Sequence, residues 1–319
     1  MAVRVGFIGC GGMANGHFRS LSTLDNVERV AFCDVNLDRA KQSAGEYGGK
    51  PYSDYHEMLD TEKPDAVYIV VPPGFHNTIE VDVAERKIPF FIEKPIALSN
   101  DTTSRVQEVI QKNDLITAVG YHWRYQSGTD HAKEVLKGKT IGMALGYWMG
   151  GFPGVSWWRR MDQSGGQFVE QTTHIVDLAR YLVGDVKRVY AAAALRDMHD
   201  VENMDVPDVG TATLEFESGA VGTINNTCML GVGGPVSLHI VGRDLWLEVG
   251  GKLKIRDKDG ERVEGEDLNP TVREDKAFIK AVETGDRSEI RSDYADGAKT
   301  LAVTLAINQS FQSRQPVDL

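Results

Sequence analysis

A glycine-rich turn near the N-terminus separates an apolar run from an amphipathic segment. Residues 3–8 read Val-Arg-Val-Gly-Phe-Ile, and residues 9–14 follow directly as Gly-Cys-Gly-Gly-Met-Ala. In a Gly-x-Gly-x-x-Ala turn, Gly9 permits the tight bend, Gly11 lets another group approach the backbone, and Ala14 allows the helix to pack closely on the strand. The turn therefore predicts a strand followed by a helix, which is the first unit of a parallel sheet.

The first 120 residues alternate short β-branched runs with amphipathic stretches, which is typical of βαβ units. The predicted strands are residues 3–8, 27–33, 50–52, 66–71, 89–92 and 116–119, and the predicted helices are residues 13–24, 37–47, 55–60, 76–86 and 102–113. Asn36 and the Ser99-Asn100-Asp101 run stand where helix N-caps are expected. We therefore predict an α/β domain with a doubly wound parallel sheet over residues 1–120.

The pattern changes after Tyr121. Helix-like segments at residues 128–136 and 173–182 flank a region rich in glycine and aromatic residues at 147–158, and residues 186–255 then read as successive strands separated by turns. Two closing helices are predicted at residues 272–283 and 294–312. A run of strands after alternating units predicts a second, α+β domain with a mainly antiparallel sheet, which we place at residues 121–319.

The composition excludes several classes of protein. Apolar residues make up 41% and charged residues 25%, as in ordinary soluble globular proteins. Because no stretch approaches the roughly 18 apolar residues needed to cross a bilayer and the N-terminus lacks a secretory pattern, we expect a cytoplasmic protein without membrane contact. The net charge of −11 disfavours nucleic-acid binding. Cys10, Cys33 and Cys228 lack metal-ligand spacing, so neither a disulfide framework nor a metal site is expected.

Asp34 ends the second predicted strand, close to the spacing of roughly 20 residues after the glycine turn at which a carboxylate meets ribose hydroxyls. The N–H groups at the start of the first helix suit a pyrophosphate, so the pattern predicts a nicotinamide dinucleotide. A carboxylate repels a ribose phosphate, which favours NAD over NADP, although a rearranged loop would present Arg39 to such a phosphate. The alternative is an α/β domain whose glycine turn binds nothing.

Glu93-Lys94-Pro95 follows the fifth predicted strand, at the carboxyl edge where open α/β sheets bind their ligands. The proline restricts the backbone of Lys94 to an extended conformation, so the direction of the lysine is defined. The alternative is a surface lysine next to a proline that stops an element.

These motifs and several later ones, taken together, resemble the glucose-fructose oxidoreductase and inositol dehydrogenase family, Gfo/Idh/MocA. The order and spacing match along nearly the whole chain. The segments that carry the resemblance are residues 9–14, Asp34, Val71-Pro72-Pro73, Glu93-Lys94-Pro95, Gly120-Tyr121-His122-Trp123-Arg124, Trp158-Arg159, Gly165-Gly166 and His174-x-x-Asp177.

The resemblance implies a Rossmann domain followed by a domain with a large open-faced sheet, through which members commonly form homodimers or homotetramers. It also implies a small-molecule substrate, a sugar or polyol, and a Lys94–Pro95 bond that is often cis. The implied cofactor contacts are Gly9, Gly11, Gly12, Met13, Asp34, Val71, Pro72, His76, Glu93, Lys94 and Arg124. The implied substrate contacts are Tyr121, Trp158, Arg159, Glu170 and Asp177.

The implied catalytic residues are Lys94 and His174. Oxidation of a secondary alcohol requires a base for the hydroxyl proton while hydride leaves carbon. His174 suits this task because imidazole titrates near neutrality, whereas a charged Lys94 is better suited to polarise the oxygen. Asp177, one turn beyond His174, is placed to orient the ring or to contact substrate. The alternatives are a capping or core histidine and an ordinary helix carboxylate.

The sequence departs from the commoner family pattern in one place. Many members have Asp-x-Gly-x-His where this chain has Glu170-Gln171-Thr172-Thr173-His174. Glu170 keeps the charge but extends it by one methylene, so we transfer the role of orienting substrate to Glu170. For Trp158, core packing is the alternative to a contact with cofactor or substrate, and for Arg159 it is a solvated surface position.

Three functions fit these motifs. The leading one is an NAD(P)-dependent dehydrogenase that acts on a secondary alcohol of a sugar, a sugar derivative or a cyclic polyol. The second is a redox-neutral enzyme that retains NAD and acts on a glycoside. The third is a regulator that senses NAD without catalysis, although a regulator has no need of a proton donor and acceptor such as Lys94 and His174.

Overall fold

The computed structural model describes residues 2–319. These residues form two compact units. The first unit contains residues 2–122 together with Asn269–Gly297, and the second contains Trp123–Leu268 together with Ala298–Leu319. No helix within the described residues combines the length and the apolar character that a bilayer span requires.

The first unit is built on a six-stranded parallel sheet. Its strands are β1 (Val3–Ile8), β2 (Val27–Cys33), β3 (Lys50–Tyr52), β4 (Ala66–Ile69), β5 (Phe90–Ile92) and β6 (Thr117–Val119). Its helices are α1 (Gly12–Leu21), α2 (Leu37–Tyr47), α3 (Tyr55–Glu62), α4 (Ile79–Glu85) and α5 (Asn100–Asn113). The strand order is β3-β2-β1-β4-β5-β6, so the winding reverses between β1 and β4, and ligands of such sheets bind at the carboxyl ends of the strands there.

The sequence predicts this unit closely. All six predicted strands exist, and β1, β2 and β3 have the predicted bounds. Asn36 accepts a hydrogen bond from the backbone N–H of Asp38, and Ser99 accepts one from Thr102, so both predicted N-caps are confirmed. The predicted helix at 76–86 is shorter than expected, because a 3₁₀ turn at Pro73–Phe75 precedes α4.

The second unit is built on a nine-stranded mixed sheet. Its strands are β7 (Ile141–Met149), β8 (Val186–Ala194), β9 (Val209–Phe216), β10 (Val221–Thr227), β11 (Val236–Gly242), β12 (Leu245–Val249), β13 (Leu253–Asp257), β14 (Gly260–Glu264) and β15 (Val317–Asp318). The order is β14-β13-β12-β11-β7-β10-β9-β8-β15, and every neighbouring pair is antiparallel except β10 and β7. The predicted fold class is therefore confirmed.

One face of this sheet is covered by helices and the other is open. The helices that lie wholly within this unit are α6 (Ser127–Leu136), α7 (Met161–Ser164), α8 (Gln167–Glu170) and α9 (Thr173–Val183). On the covered face, Ile175 and Leu178 of α9 are fully buried in the same apolar cluster as Leu214 and Leu238. On the other face, Met143 and Tyr190 remain 40% and 49% exposed.

The domain boundary differs from the prediction. Helix α10 (Pro270–Thr284) was expected in the second domain, but it packs on α1 and β1 of the first unit. Phe278 and Ile279 are buried there with Phe7 and Phe18. The long helix α11 (Tyr294–Ser313) begins in the first unit and continues into the second. An amphipathic pattern shows that a helix has an apolar face, but it does not show which sheet covers that face.

Candidate active site

The glycine turn forms an open cradle at the start of α1. Gly9 has a φ of +96°, and a Cβ on it would lie 2.0 Å from the carbonyl oxygen of Val70, so only glycine fits. A Cβ on Gly11 or Gly12 would meet no atom within 4 Å. Helix α1 has neither a side-chain cap nor an acidic residue in its first turn. Its N–H groups therefore suit a pyrophosphate, and these residues fit a dinucleotide. Met13 lies in the same turn and is largely exposed.

Asp34 is fixed beside this cradle by two backbone amides. Its Oδ2 accepts a hydrogen bond of 2.9 Å from the N–H of Cys10, and its Oδ1 accepts one of 2.8 Å from Asn36. Each carboxylate oxygen has a second lone pair, which is available to ribose hydroxyls. Arg39, the residue that would favour a ribose phosphate, is exposed on α2. The structure therefore brings Asp34 and the glycine turn together, as the sequence predicts.

His76 and Glu80 form a buried pair just after the 3₁₀ turn. The Nδ1 of His76 lies 2.6 Å from Oε1 of Glu80, and both side chains are almost completely buried. Val71 and Pro72, the residues that precede the turn, are half-buried. Sequence reasoning singled out His76 but not its partner, because a glutamate one helical turn later is usually a surface residue.

Lys94 and Glu93 lie at the carboxyl end of β5. Lys94 is half-buried, and the Lys94–Pro95 peptide bond is cis, as the resemblance implies. Glu93 is 4% exposed. Burial by itself raises the pKa of Glu93, but the hydrogen bond and the charge of His17, with smaller contributions from Lys94 and His122, hold that pKa below its ordinary value. Glu93 is therefore ionised.

In the second unit, His174 lies in the first turn of α9 beside two tryptophan rings. Its imidazole is nearly parallel to Trp123 and Trp148, with ring centroids 6.1 and 5.9 Å away and interplanar angles of 19° and 16°. The residue is 5% exposed. Both indoles pack against the imidazole and restrict the orientation of its ring plane. Sequence reasoning did not assign a role to either tryptophan, although both lie in aromatic segments that it noted.

Asp177, a predicted substrate contact, and Arg124, a predicted cofactor contact, bind each other. Arg124 donates from Nε and Nη2 to the two carboxylate oxygens of Asp177, at 2.8 and 2.6 Å, and Thr300 adds a third bond at 2.9 Å. Asp177 is fully buried and Arg124 is 2% exposed. Each charge of this buried ion pair satisfies the other, so the loss of either partner would leave an uncompensated buried charge.

Trp158 packs in the interior of the second unit. Core packing was the alternative to its predicted contact with cofactor or substrate. Trp158 is fully buried with Val206 and Cys228, and its Nε1 donates to Oε2 of Glu170 at 2.9 Å. Trp158 therefore holds the carboxylate of Glu170, the residue that stands in place of the family aspartate.

The other two predicted substrate contacts are Arg159 and Tyr121. Arg159 is half-buried over the ring of Phe152 and donates to the carbonyl of Glu202. Tyr121 of the first unit is 1% exposed. At that exposure the side chain of Tyr121 is enclosed by protein, and its contact with substrate stays a prediction.

Two family models match this chain. Residues 3–121 match the model described as "Oxidoreductase family, NAD-binding Rossmann fold", and residues 129–248 match the "GFO/IDH/MocA C-terminal domain". The chain is 26% identical to the myo-inositol 2-dehydrogenase of Thermotoga maritima, over 99% of this chain and 98% of that protein. It is 28% identical to the scyllo-inositol 2-dehydrogenase (NAD(+)) of Bacillus subtilis, over 76% and 72% of the two chains.

Solved structures agree with this fold. Levoglucosan dehydrogenase in complex with NADH superposes with a TM-score of 0.90 at 22% identity, over 100% of this chain and 99% of that chain. The WlbA dehydrogenase of Bordetella pertussis, in complex with NADH and UDP-GlcNAcA, superposes with a TM-score of 0.86 at 23% identity, over 100% and 99% of the chains. At these identities the likeness shows the shared fold.

The fold and the glycine cradle define a two-domain oxidoreductase with an NAD-binding Rossmann domain. The chain belongs to the Gfo/Idh/MocA family.

Proposed function

We propose that this protein is an NAD-dependent dehydrogenase that transfers a hydride between the cofactor and a secondary alcohol of a sugar, a sugar derivative or a cyclic polyol. The observation that carries the proposal is the carboxylate of Asp34, fixed by backbone N–H groups beside an open glycine cradle. The names of the inositol dehydrogenases that the chain resembles support the substrate class.

In the proposed reaction, the cofactor and each site residue have separate roles. NAD, when bound, supplies the carbon that accepts the hydride. His174, with its ring plane restricted by Trp123 and Trp148, takes the hydroxyl proton. Lys94, fixed at the end of β5, donates a hydrogen bond to the substrate oxygen. Glu170, held by Trp158, accepts a bond from another substrate hydroxyl.

We expect Asp34→Asn to raise the Kd for NAD by roughly 10–100-fold, because a hydrogen bond to a charged group contributes about 1.5–3 kcal/mol. Loss of the charge should also reduce discrimination against NADP. The matched control is Asp38→Asn, since Asp38 lies on the exposed first turn of α2. Titration calorimetry with both dinucleotides measures the effect. Unchanged NAD affinity in Asp34→Asn would contradict the assignment of Asp34.

The proposed activity is tested by incubating the protein and NAD with a panel of inositols, sugars and sugar acids while absorbance of the reduced cofactor is followed. The proposal requires NADH to accumulate with at least one member of the panel, in an amount equal to the ketone formed. Consumption of a substrate without NADH would support the redox-neutral alternative, and binding of NAD without turnover of any member would support the regulator.

We further propose that the open face of the nine-stranded sheet joins copies of this chain. Met143, Tyr190 and Val221 leave apolar surface exposed on that face, which is unfavourable in a monomer. Sedimentation velocity is expected to show a dimer or a tetramer, and a monomer at micromolar concentration would contradict the proposal.

A further inference from the structure

Three buried ionisable side chains of the first unit form a continuous chain of contacts, which we call the buried triad: Asp275, His17 and Glu93. The Nδ1 of His17 lies 2.8 Å from Oδ1 of Asp275, and its Nε2 lies 3.1 Å from Oε1 of Glu93. His17 lies on α1, Glu93 follows β5, and Asp275 lies on α10. Their relative exposures are 1%, 4% and 0%.

The geometry of the triad requires a charged imidazole. A carboxylate oxygen can only accept, so each ring nitrogen of His17 must carry a proton to bond with its partner. The rings of Tyr68 and Phe91 lie 5.3 and 4.9 Å from the imidazole. Burial lowers the pKa of His17, but the charges and hydrogen bonds of Asp275 and Glu93 outweigh this effect and raise that pKa well above its ordinary value. With one cation between two anions, the triad carries one excess negative charge.

Glu93 connects the triad to Lys94. Its Oε2 accepts a hydrogen bond of 3.1 Å from the backbone N–H of Lys94. On the other side, a Cβ on Gly120 would lie 2.6 Å from Oε1, so the carboxylate lies directly against the glycine backbone. The carboxylate is therefore confined between His17 and Gly120, and its orientation fixes the backbone from which Lys94 projects.

The other titratable groups around the triad are Glu274, Tyr68, Lys94 and His122. Both carboxylate oxygens of Glu274 are buried without a hydrogen-bond partner. Burial, followed by the charge of Asp275, raises the pKa of Glu274 well above its ordinary value, so this residue is neutral. Burial also raises the pKa of Tyr68 and lowers that of His122, which leaves both neutral near pH 7. The charge of Lys94 helps to hold the pKa of Glu93 low.

We propose that Asp275 is a positioning residue for Lys94, acting through the imidazolium of His17 and the carboxylate of Glu93 to hold the backbone from which the lysine projects. This inference rests on the dehydrogenase proposed above, in which the ammonium of Lys94 polarises the substrate oxygen. It adds a contribution from α10, a helix that lies far along the chain from the glycine turn and from Lys94.

Two adjacent residues of α10 give a matched test. Asp275→Asn keeps an acceptor for His17, but a neutral amide accepts a weaker hydrogen bond than a carboxylate, so kcat should fall about 10-fold while the KM for NAD stays within about twofold. Glu274→Gln replaces a neutral acid with a neutral amide and should leave kcat unchanged. A purely structural role for Asp275 would lower the Tm and leave kcat of the folded protein unchanged, and that result would overturn the proposal.

A second measurement does not depend on turnover. The ¹⁵N shifts of the His17 ring in the intact protein should show both nitrogens protonated from pH 6 to pH 9, whereas in Asp275→Asn the ring should begin to titrate within this range. If the His17 ring of the wild-type protein were neutral at pH 8, the proposed role of the triad would be wrong, even if the protein is a dehydrogenase. Persistence of the imidazolium in a protein with no activity on the panel would instead refute only the proposed function.

Elemental analysis of the purified protein completes the test. His17, Glu93 and Glu274 have possible ligand atoms within 4.8 Å of one another. A protonated Nε2 of His17 cannot bind a metal, so the triad predicts no stoichiometric divalent cation. If the wild-type protein contained one equivalent of metal and Glu274→Gln contained none, His17 could not carry a proton on Nε2. That result would contradict the proposal.

Discussion

Replacement of Lys94 by alanine is expected to lower kcat by roughly 10²–10⁴-fold, because the substrate oxygen would lose its hydrogen-bond donor during hydride transfer. The Kd for NAD should stay within about threefold of the wild-type value, since the glycine cradle and Asp34 are untouched. Lys112→Ala is the matched control, because Lys112 is an exposed lysine of the same domain, on α5. Initial rates on the best substrate of the panel and calorimetry with NAD measure the two quantities.

Turnover by Lys94→Ala at the wild-type rate would remove Lys94 from the mechanism. A parallel loss of NAD affinity and activity would instead place the lysine in cofactor binding alone. Lys94→Arg separates charge from shape, because its guanidinium keeps the charge but not the compact geometry of the ammonium.

Replacement of Asp177 by alanine is expected to lower the free energy of unfolding by about 3–5 kcal/mol, because Arg124 would remain buried without its carboxylate. Thr300 would also lose the acceptor for its hydroxyl. Asp162→Ala is the control, since Asp162 forms an exposed pair with Arg160 and should leave unfolding unchanged. Equilibrium unfolding in urea, followed by fluorescence, measures both variants.

Joint replacement of Arg124 and Asp177 by leucine should recover much of this loss, because an apolar pair leaves no buried charge. Wild-type stability of Asp177→Ala would contradict the structural role of this ion pair.

The parallel sheet and the cofactor cradle could be predicted from the sequence because both depend on local patterns. Glycine at residue 9 is required by a backbone conformation that other residues rarely adopt, and Asp34 follows at the spacing of one βαβ unit. The strand β7 was not predicted. Its nine residues include two glycines and two aromatic residues, so its sequence resembles that of a loop region.

The internal partners could not be predicted, because they join residues far apart in the chain. Asp177 and Arg124 are separated by 53 positions, and His17 and Asp275 by 258. Spacing within a helix correctly placed Asp177 one turn from His174, but it carried no information about what a side chain on that turn would meet. For Trp158, core packing was the alternative to a contact with cofactor or substrate. The sequence could not decide between the two, because burial depends on tertiary packing.

The most direct test of hydride transfer uses a substrate from the panel that carries deuterium on the carbon of the reacting hydroxyl. After one turnover with NAD, mass spectrometry of the recovered cofactor should show one deuterium per molecule of reduced nicotinamide, matched by one molecule of ketone. Recovery of the cofactor in its oxidised form without label, while the substrate has been consumed, would contradict a dehydrogenase.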